Sequence, residues 1–252
     1  WAAGFLIGGW GMYRLVGDWG LGIGDRDTDA DTTQSPIPNP QYLPALLAAL
    51  LYIFIPYHLL DIYVRAALAE TTLMAWFPWV FLAFDRLIVR GGAPGWRRRL
   101  LLAALAYAGV ILTQVIALIA FTPLLVAFIL FRLWTVHPRN TQHAIRNTQY
   151  ASILLSALAG LCAILLSAIF LLPLLAEGPL LDQSVYTDNT YSYARHWVQV
   201  SQFFDPFWGY GFSDDPDGAN DGMGFQVGVI ALLLAGASVY GLWRSRSRSR
   251  SR

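Results

Sequence analysis

LLLAALAYAGVILTQVIALIAFTPLLVAFILF, residues 100–131, runs without a single charge. As one helix rising 1.5 Å per residue it would be about 48 Å long. A hydrocarbon core is only about 30 Å thick, so a straight helix would overshoot it considerably. Two shorter helices, turning where the polar Thr113 and Gln114 interrupt the run, fit instead. The stretch therefore predicts an all-α chain folded in lipid, with a helical hairpin at its centre.

Other apolar runs extend the pattern: Leu43–Leu60, Thr71–Phe84, Ala151–Ala176 and Gly224–Trp243, with a sixth, Trp1–Val16, cut short. Hydrophobic residues make up 56% and charged residues 13% of the chain, against about 25% charged in soluble domains. Mean hydropathy is +0.47. The reading is a polytopic transmembrane bundle of about seven crossing helices, the first truncated, forming one domain over 1–243. Within it, 24–41 is rich in Asp, Thr and Pro and predicts a flexible insert, and 177–223 predicts an extracytoplasmic loop. The strict Arg/Ser alternation of 244–252 cannot bury anything and predicts a disordered tail. The chain opens at Trp1 inside an apolar run and without a signal-peptide pattern, as an internal piece of a longer protein would.

Arginine supplies all 17 basic residues, so loops sort by arginine alone. Arg90 and Arg97–Arg99, then Arg132, Arg139 and Arg146, then the tail mark the cytoplasmic side. Residues 177–221 carry Arg195 as their single basic residue and belong outside. Leu43–Leu60 then runs outward, Thr71–Val89 inward, Ala151–Ala176 outward and Gly224–Trp243 inward. The net charge of +1 gives no pull toward nucleic acid. Cys162, alone, can form no intrachain disulfide and reads as packing. No P-loop, GxGxxG, HExxH or CxxC pair supports nucleotide hydrolysis, dinucleotide chemistry or structural zinc.

The densest polar group beside an apolar run is PYHLLDIYVRAALAE, residues 56–70. Ionisable side chains there are costly, yet His58, Asp61, Arg65 and Glu70 crowd together. On a helix Asp61 and Arg65 stand at i,i+4 and can pair, and a break at Pro56 could turn the group into one cavity. Two readings stand open. In one, Asp61 and Arg65 pair at the interface while Glu70 caps the next span. In the other, Arg65 binds phosphate on the outer face, oriented by a carboxylate. The turn at Gln114 and the long loop converge on the same face. Aromatics recur at helical spacing from Tyr193 through Trp197, Val200, Phe204 and Trp208, which predicts an amphipathic helix lying in the interface, with Arg195 and His196 on it. Asp214–Gly222 holds four carboxylates; it lacks the EF-hand spacing and reads first as an exposed turn, although a divalent cation could bind such oxygens.

In order along the chain, Pro56-Tyr-His running into Tyr63-Val-Arg-Ala-Ala-Leu-Ala-Glu70, Leu112-Thr-Gln114, Phe170-Leu-Leu-Pro173, Phe207-Trp-Gly-Tyr-Gly211 and Asp221-Gly-Met-Gly-Phe-Gln226 resemble the bacterial multi-pass 6-pyruvoyl-tetrahydropterin synthase-related membrane domain family. Its relatives are membrane glycosyltransferases of the C type. The family pattern has Gly after the arginine and His after the Leu-Ser/Thr pair, where this chain has Ala66 and Gln114. The resemblance implies a protein of the bacterial cell envelope, multi-pass in the plasma (inner) membrane, that handles a polyprenyl-phosphate-linked sugar at the extracytoplasmic face. It implies that the catalytic acidic loop of such enzymes precedes Trp1. It implies no pterin chemistry, because the soluble synthase's metal-binding histidines have no counterpart here.

The candidate substrate-binding residues are thus Asp61, Arg65, Glu70, His58, Gln114, Arg195, His196 and Trp197, with no metal ligands and no evident cofactor. The expected partners are the lipid bilayer and a polyprenyl-phosphate sugar. A transporter, a flippase or an assembly subunit without chemistry is the alternative. A transporter should show repeated halves with broken helices near the midplane.

Overall fold

The computed structural model describes residues 2–20, 42–90, 92–136, 142–180, 184, 196–215, 217, 221–237 and 240. The 24–41 insert, the 244–252 tail and Arg195 lie outside the described residues. Among the described residues the named helices run in order: α1 Ala2–Gly20, α2 Tyr42–Phe54, α3 Pro56–Tyr63, α4 Leu68–Val89, α5 Trp96–Thr113, α6 Ile116–Thr135, α7 Gln142–Leu166 and α8 Ala168–Glu177. Residues 229–237 are helical as well. Among the described residues no strand forms, and one isolated antiparallel bridge joins Tyr210 and Met223. The chain divides into two compact units, Trp1–Ile53 with Leu68–Leu180, and Phe54–Ala67 with Leu181–Arg252.

In the first unit, the break expected in 100–131 is real. α5 stops at Thr113, Gln114 is extended at φ −158°, and α6 starts at Ile116. The hydroxyls of Tyr107 and Thr122, one on each side of this break, share a hydrogen bond of 2.5 Å, so α6 folds back against α5.

Side-chain contacts fix the helix directions. Gly4 lies beside Thr71 near the starts of α1 and α4, and Arg86 pairs with Asp18 near their ends, so these two run parallel. Gly17 faces Ala45 and Gly9 faces Ile53, which makes α2 antiparallel to α1. Trp76 rests on Gly109, turning α5 against α4, and the Phe77–Phe121 stack at 4.5 Å with the Asp85–Arg132 pair aligns α6 with α4. The connections carrying Arg90, Arg97, Arg98 and Arg99 therefore meet the end of α6 that carries Arg132. The arginine-rich end of the unit is one end.

Its core is built from small residues. Ala103, Ala106, Ala108, Ala159 and Ala163 are buried with Phe84, Leu87, Val110 and Ile111. Buried Ser152 donates to the Ile88 carbonyl at 3.0 Å. Small and hydroxyl-bearing contacts are what helix packing in lipid selects, because apolar bulk there gains nothing over lipid tails. Many large apolar side chains face outward: Ile119 is 78%, Leu154 69% and Ile169 83% exposed. In water such a surface would drive aggregation; in a bilayer it is the solvated face.

Among the described residues, three helical stretches are long and apolar enough to cross a membrane: Tyr42–Tyr63, Leu68–Val89 and Ile116–Thr135. A fourth is the bent pair Tyr150–Leu166 and Ala168–Leu180, which meet at 63°. This is three or four against the expected seven or so. α5 is short of the rest because its first turn is Trp-Arg-Arg-Arg, and α1 carries Arg14 and Asp18. The straight run expected over Ala151–Ala176 is broken at Ser167, which is fully buried and returns its hydroxyl to the Ala163 carbonyl at 2.9 Å. Such back-bonding competes with the helical ladder and bends it.

The second unit corrects the interfacial helix. Residues 196–199 are non-helical, with Gln199 extended, a single 3-10 turn spans Val200–Phe203, and 205–209 are again non-helical. The aromatic spacing satisfied a helical period, but the backbone follows other bonds. Gln199 and Gln202 cap the turn reciprocally, Pro206 disfavours helix at Asp205, and the Asp205 carboxylate accepts from Phe207 N–H at 3.0 Å.

Candidate functional site

α3 exists as a separate helix because of Pro56. The residue before a proline is pushed out of helical space, and Ile55 sits at φ −60°, ψ 133°, ending α2 and capping α3. α3 then ends on a left-handed residue, Ala66, at φ 49°. Val64 and Arg65 N–H both donate to the Leu60 carbonyl, and Ala67 N–H donates to the Asp61 carbonyl at 2.9 Å. This is a helix stop that glycine normally supplies.

An L-residue in that conformation costs roughly 1–2 kcal/mol, while glycine loses about 0.5–1 kcal/mol in chain entropy. Ala66→Gly is therefore expected to raise stability by up to about 1 kcal/mol, read as a higher unfolding temperature of the reconstituted chain. A fall would show that the left-handed turn is not what ends α3.

The turn aims Arg65. Its Nη1 lies 2.9 Å from Asp61 Oδ1 and donates to the Tyr57 hydroxyl at 3.0 Å. Asp61 is fully buried, whereas the Arg65 side chain is about one third exposed at 31%. The carboxylate thus anchors the guanidinium. Arg65 lines a cavity of about 660 Å³, within the range of small-molecule sites. Tyr57, Arg65, His196, Tyr210, Phe212 and Phe225 are among its walls. His196 is held by Nδ1 donating to the Ser213 carbonyl at 2.6 Å and by edge contact with Phe212 at 5.8 Å. One cation, one imidazole, two phenols and apolar rings can bind an anion joined to a ring or a lipid tail.

The opposite wall depends on two glycine-containing motifs packing backbone to backbone. Gly211 N–H donates to the Gly222 carbonyl at 2.7 Å, and Gly222 N–H returns to the Phe212 carbonyl at 3.2 Å. A Cβ on either glycine would sit 2.6–2.7 Å from the other's Cα, so only glycine fits at both.

Asp221 locks the same segment. Its Oδ1 accepts Asp214 and Asp215 N–H, both at 3.1 Å, and its Oδ2 accepts Gln202 Nε2 at 2.7 Å and Ser213 Oγ at 3.3 Å. Asp214 and Asp215 are thus fastened by their backbone to the Asp221 carboxylate. Among the described residues no three His, Cys, Asp or Glu side chains gather as metal ligands. Asp221→Asn puts an amide where donors converge. Hydrogen exchange at Asp214 and Asp215 is expected to accelerate about ten-fold or more, since a charged hydrogen bond contributes about 1.5–3 kcal/mol.

Of the sequence candidates, Arg65 and His196 line this cavity, and Asp61 supports Arg65. His58 is buried on α3 and is not part of the wall. Trp197 is 61% exposed, its ring outside the cavity. Glu70, in the first turn of α4, and Gln114, at the α5–α6 break, belong to the first unit. Tyr57, Tyr210 and Phe212 were missed as site residues. The signal was available in the motifs Pro56-Tyr-His and Phe207-Trp-Gly-Tyr-Gly211, where a phenol recurs beside a backbone-shaping residue.

The family described as 6-pyruvoyl-tetrahydropterin synthase related domain, membrane protein, matches residues 39–248. No curated protein and no solved structure matches the chain.

Proposed function

The chain belongs to this membrane-protein family, and from that premise we propose that the Arg65 cavity receives the phosphate and sugar of a polyprenyl-phosphate-linked sugar. The observation that carries the reading is the meeting of Arg65 and His196, distant in sequence, on one cavity walled by aromatic rings. Arg65 takes the phosphate from the cavity wall, with Asp61 and Tyr57 fixing its direction. Aromatic rings suit a sugar face or an isoprenoid tail. His196, on the same cavity, would meet the acceptor or the leaving oxygen. In a glycosyl transfer, Arg65 would stabilise the charge left on the phosphate as the glycosidic bond breaks. The protein would sit multi-pass in the plasma membrane of a bacterial cell envelope, with α1 and α5 crossing beside the longer helices and this cavity on the extracytoplasmic face.

The test uses the chain reconstituted in nanodiscs, with polyprenyl phosphate and the uncharged polyprenol as probes. The phosphorylated lipid is expected to bind about ten-fold or more tightly, because a charge-assisted bond contributes about 1.5–3 kcal/mol. Equal binding would overturn the reading. The helix interruptions at Ile55 and Ser167 favour a second reading, a flippase for the same lipid. Flux of a fluorescent polyprenyl phosphate across liposomes, without sugar transfer, would select it.

A further inference from the structure

We propose that the groove between α4 and α5, at the arginine-bearing end of the first unit, is a binding site for an anionic phospholipid. The groove encloses about 220 Å³, and its walls include Trp76, Trp79, Leu82, Leu102 and Leu105, with Arg86 and Arg99 among them. Leu102 and Leu105 are about half exposed, at 46% and 48%, so the groove opens on the face that lipid covers.

The two arginines differ. Arg86 is neutralised by Asp18, its Nε and Nη2 both 2.7 Å from Oδ2. Arg99 holds the loop before α5 through carbonyls alone: Pro94 at 3.1 Å, Ala93 at 2.7 Å and Arg90 at 3.3 Å. Carbonyls fix a guanidinium without cancelling its charge. Among the described residues no carboxylate pairs with Arg99, and its Nε is buried without a hydrogen-bond partner. Arg90, Arg97 and Arg98 add positive charge nearby. An arginine held by carbonyls alone on the wall of an apolar slot, with further arginines nearby, matches a phosphate ester with an acyl chain along the slot. A zwitterionic lipid would fill the slot but bring its own cation to the rim. The anionic headgroup is the complementary one.

The chain is reconstituted with phosphatidylglycerol or phosphatidylcholine carrying brominated acyl chains, which quench nearby tryptophan fluorescence. The portion of quenching that disappears in a Trp76→Phe/Trp79→Phe variant reports the groove. Phosphatidylglycerol is expected to occupy it about five-fold more strongly for the guanidinium engaged, at about 1 kcal/mol per basic residue near the surface. Arg99→Gln should abolish that preference, and Leu102→Phe, which fills the slot from its exposed side, should reduce groove quenching by both lipids. Equal quenching by the two lipids in the wild type, which is bulk solvation only, would overturn the proposal. So would a phosphatidylglycerol preference that survives Arg99→Gln, or groove quenching that Leu102→Phe leaves intact.

Discussion

Asp85→Ala is expected to destabilise the chain by about 3–5 kcal/mol, the cost of stranding one member of a buried ion pair. Asp85 is fully buried in α4, and its Oδ1 accepts from Arg132 Nε on α6. Arg132 in turn lies over the Trp19 ring of α1, 5.3 Å from its centroid, and Trp19 stacks on Phe128 at 6.1 Å. One position further along α4, Arg86 closes the second pair with Asp18. Three parallel helices are thus tied at the same end by two neighbouring ion pairs and an aromatic bridge. Removing the carboxylate leaves a guanidinium that is only 17% exposed without its ion-pair partner. Removing both charges has a different result, because desolvation of the pair is relieved along with its attraction. Asp85→Leu with Arg132→Met is expected to recover most of the loss. Thermal unfolding of the detergent-solubilised single and double variants gives the coupling directly. A double variant as unstable as Asp85→Ala would show that packing around Asp85, and not charge balance, is what the site requires.

That network was invisible in the sequence for a physical reason. Asp85, Arg86 and Arg132 stand at the ends of apolar runs, where charges ordinarily meet water or headgroups, so each reads locally as a flank. Only the parallel alignment of α1, α4 and α6 brings them together. What was legible is what depends on short range. The uncharged length of 100–131 forced a break, and the polar pair at Thr113 and Gln114 located it. The i,i+4 spacing of Asp61 and Arg65 gave their pairing. The helix expected from Tyr193 to Trp208 failed for the opposite reason, because periodicity counts side chains while this backbone is held by the segment around Asp221. The cavity was half legible: Arg65 and His196 were each singled out, but nothing in their spacing could place them on one wall. The glycines at 211 and 222 explain why, since the wall forms by a backbone approach that no hydrophobic pattern records.

Arg65→Gln is expected to lower affinity for polyprenyl phosphate by about 10- to 100-fold, the effect of losing one charge-assisted hydrogen bond of about 1.5–3 kcal/mol. The exposure of Arg65 argues for the lower half of that range, since water screens part of the attraction. Affinity for uncharged polyprenol should hardly change, which separates a phosphate contact from a collapsed cavity. Arg65→Lys is the informative partner. A lysine keeps the charge but cannot reach Asp61, Tyr57 and a phosphate at once with a planar fork, so recovery should be partial. Asp61→Asn should act in the same direction with smaller amplitude, because it loosens the aim of the guanidinium without removing its charge. If the protein transfers sugar, the same series should lower kcat more than it raises KM, since the arginine would oppose charge that grows on the leaving phosphate. Full affinity and full transfer in Arg65→Gln would remove this residue from recognition and chemistry alike, and leave the Asp61–Arg65 pair as the fastener that holds α3 to its turn.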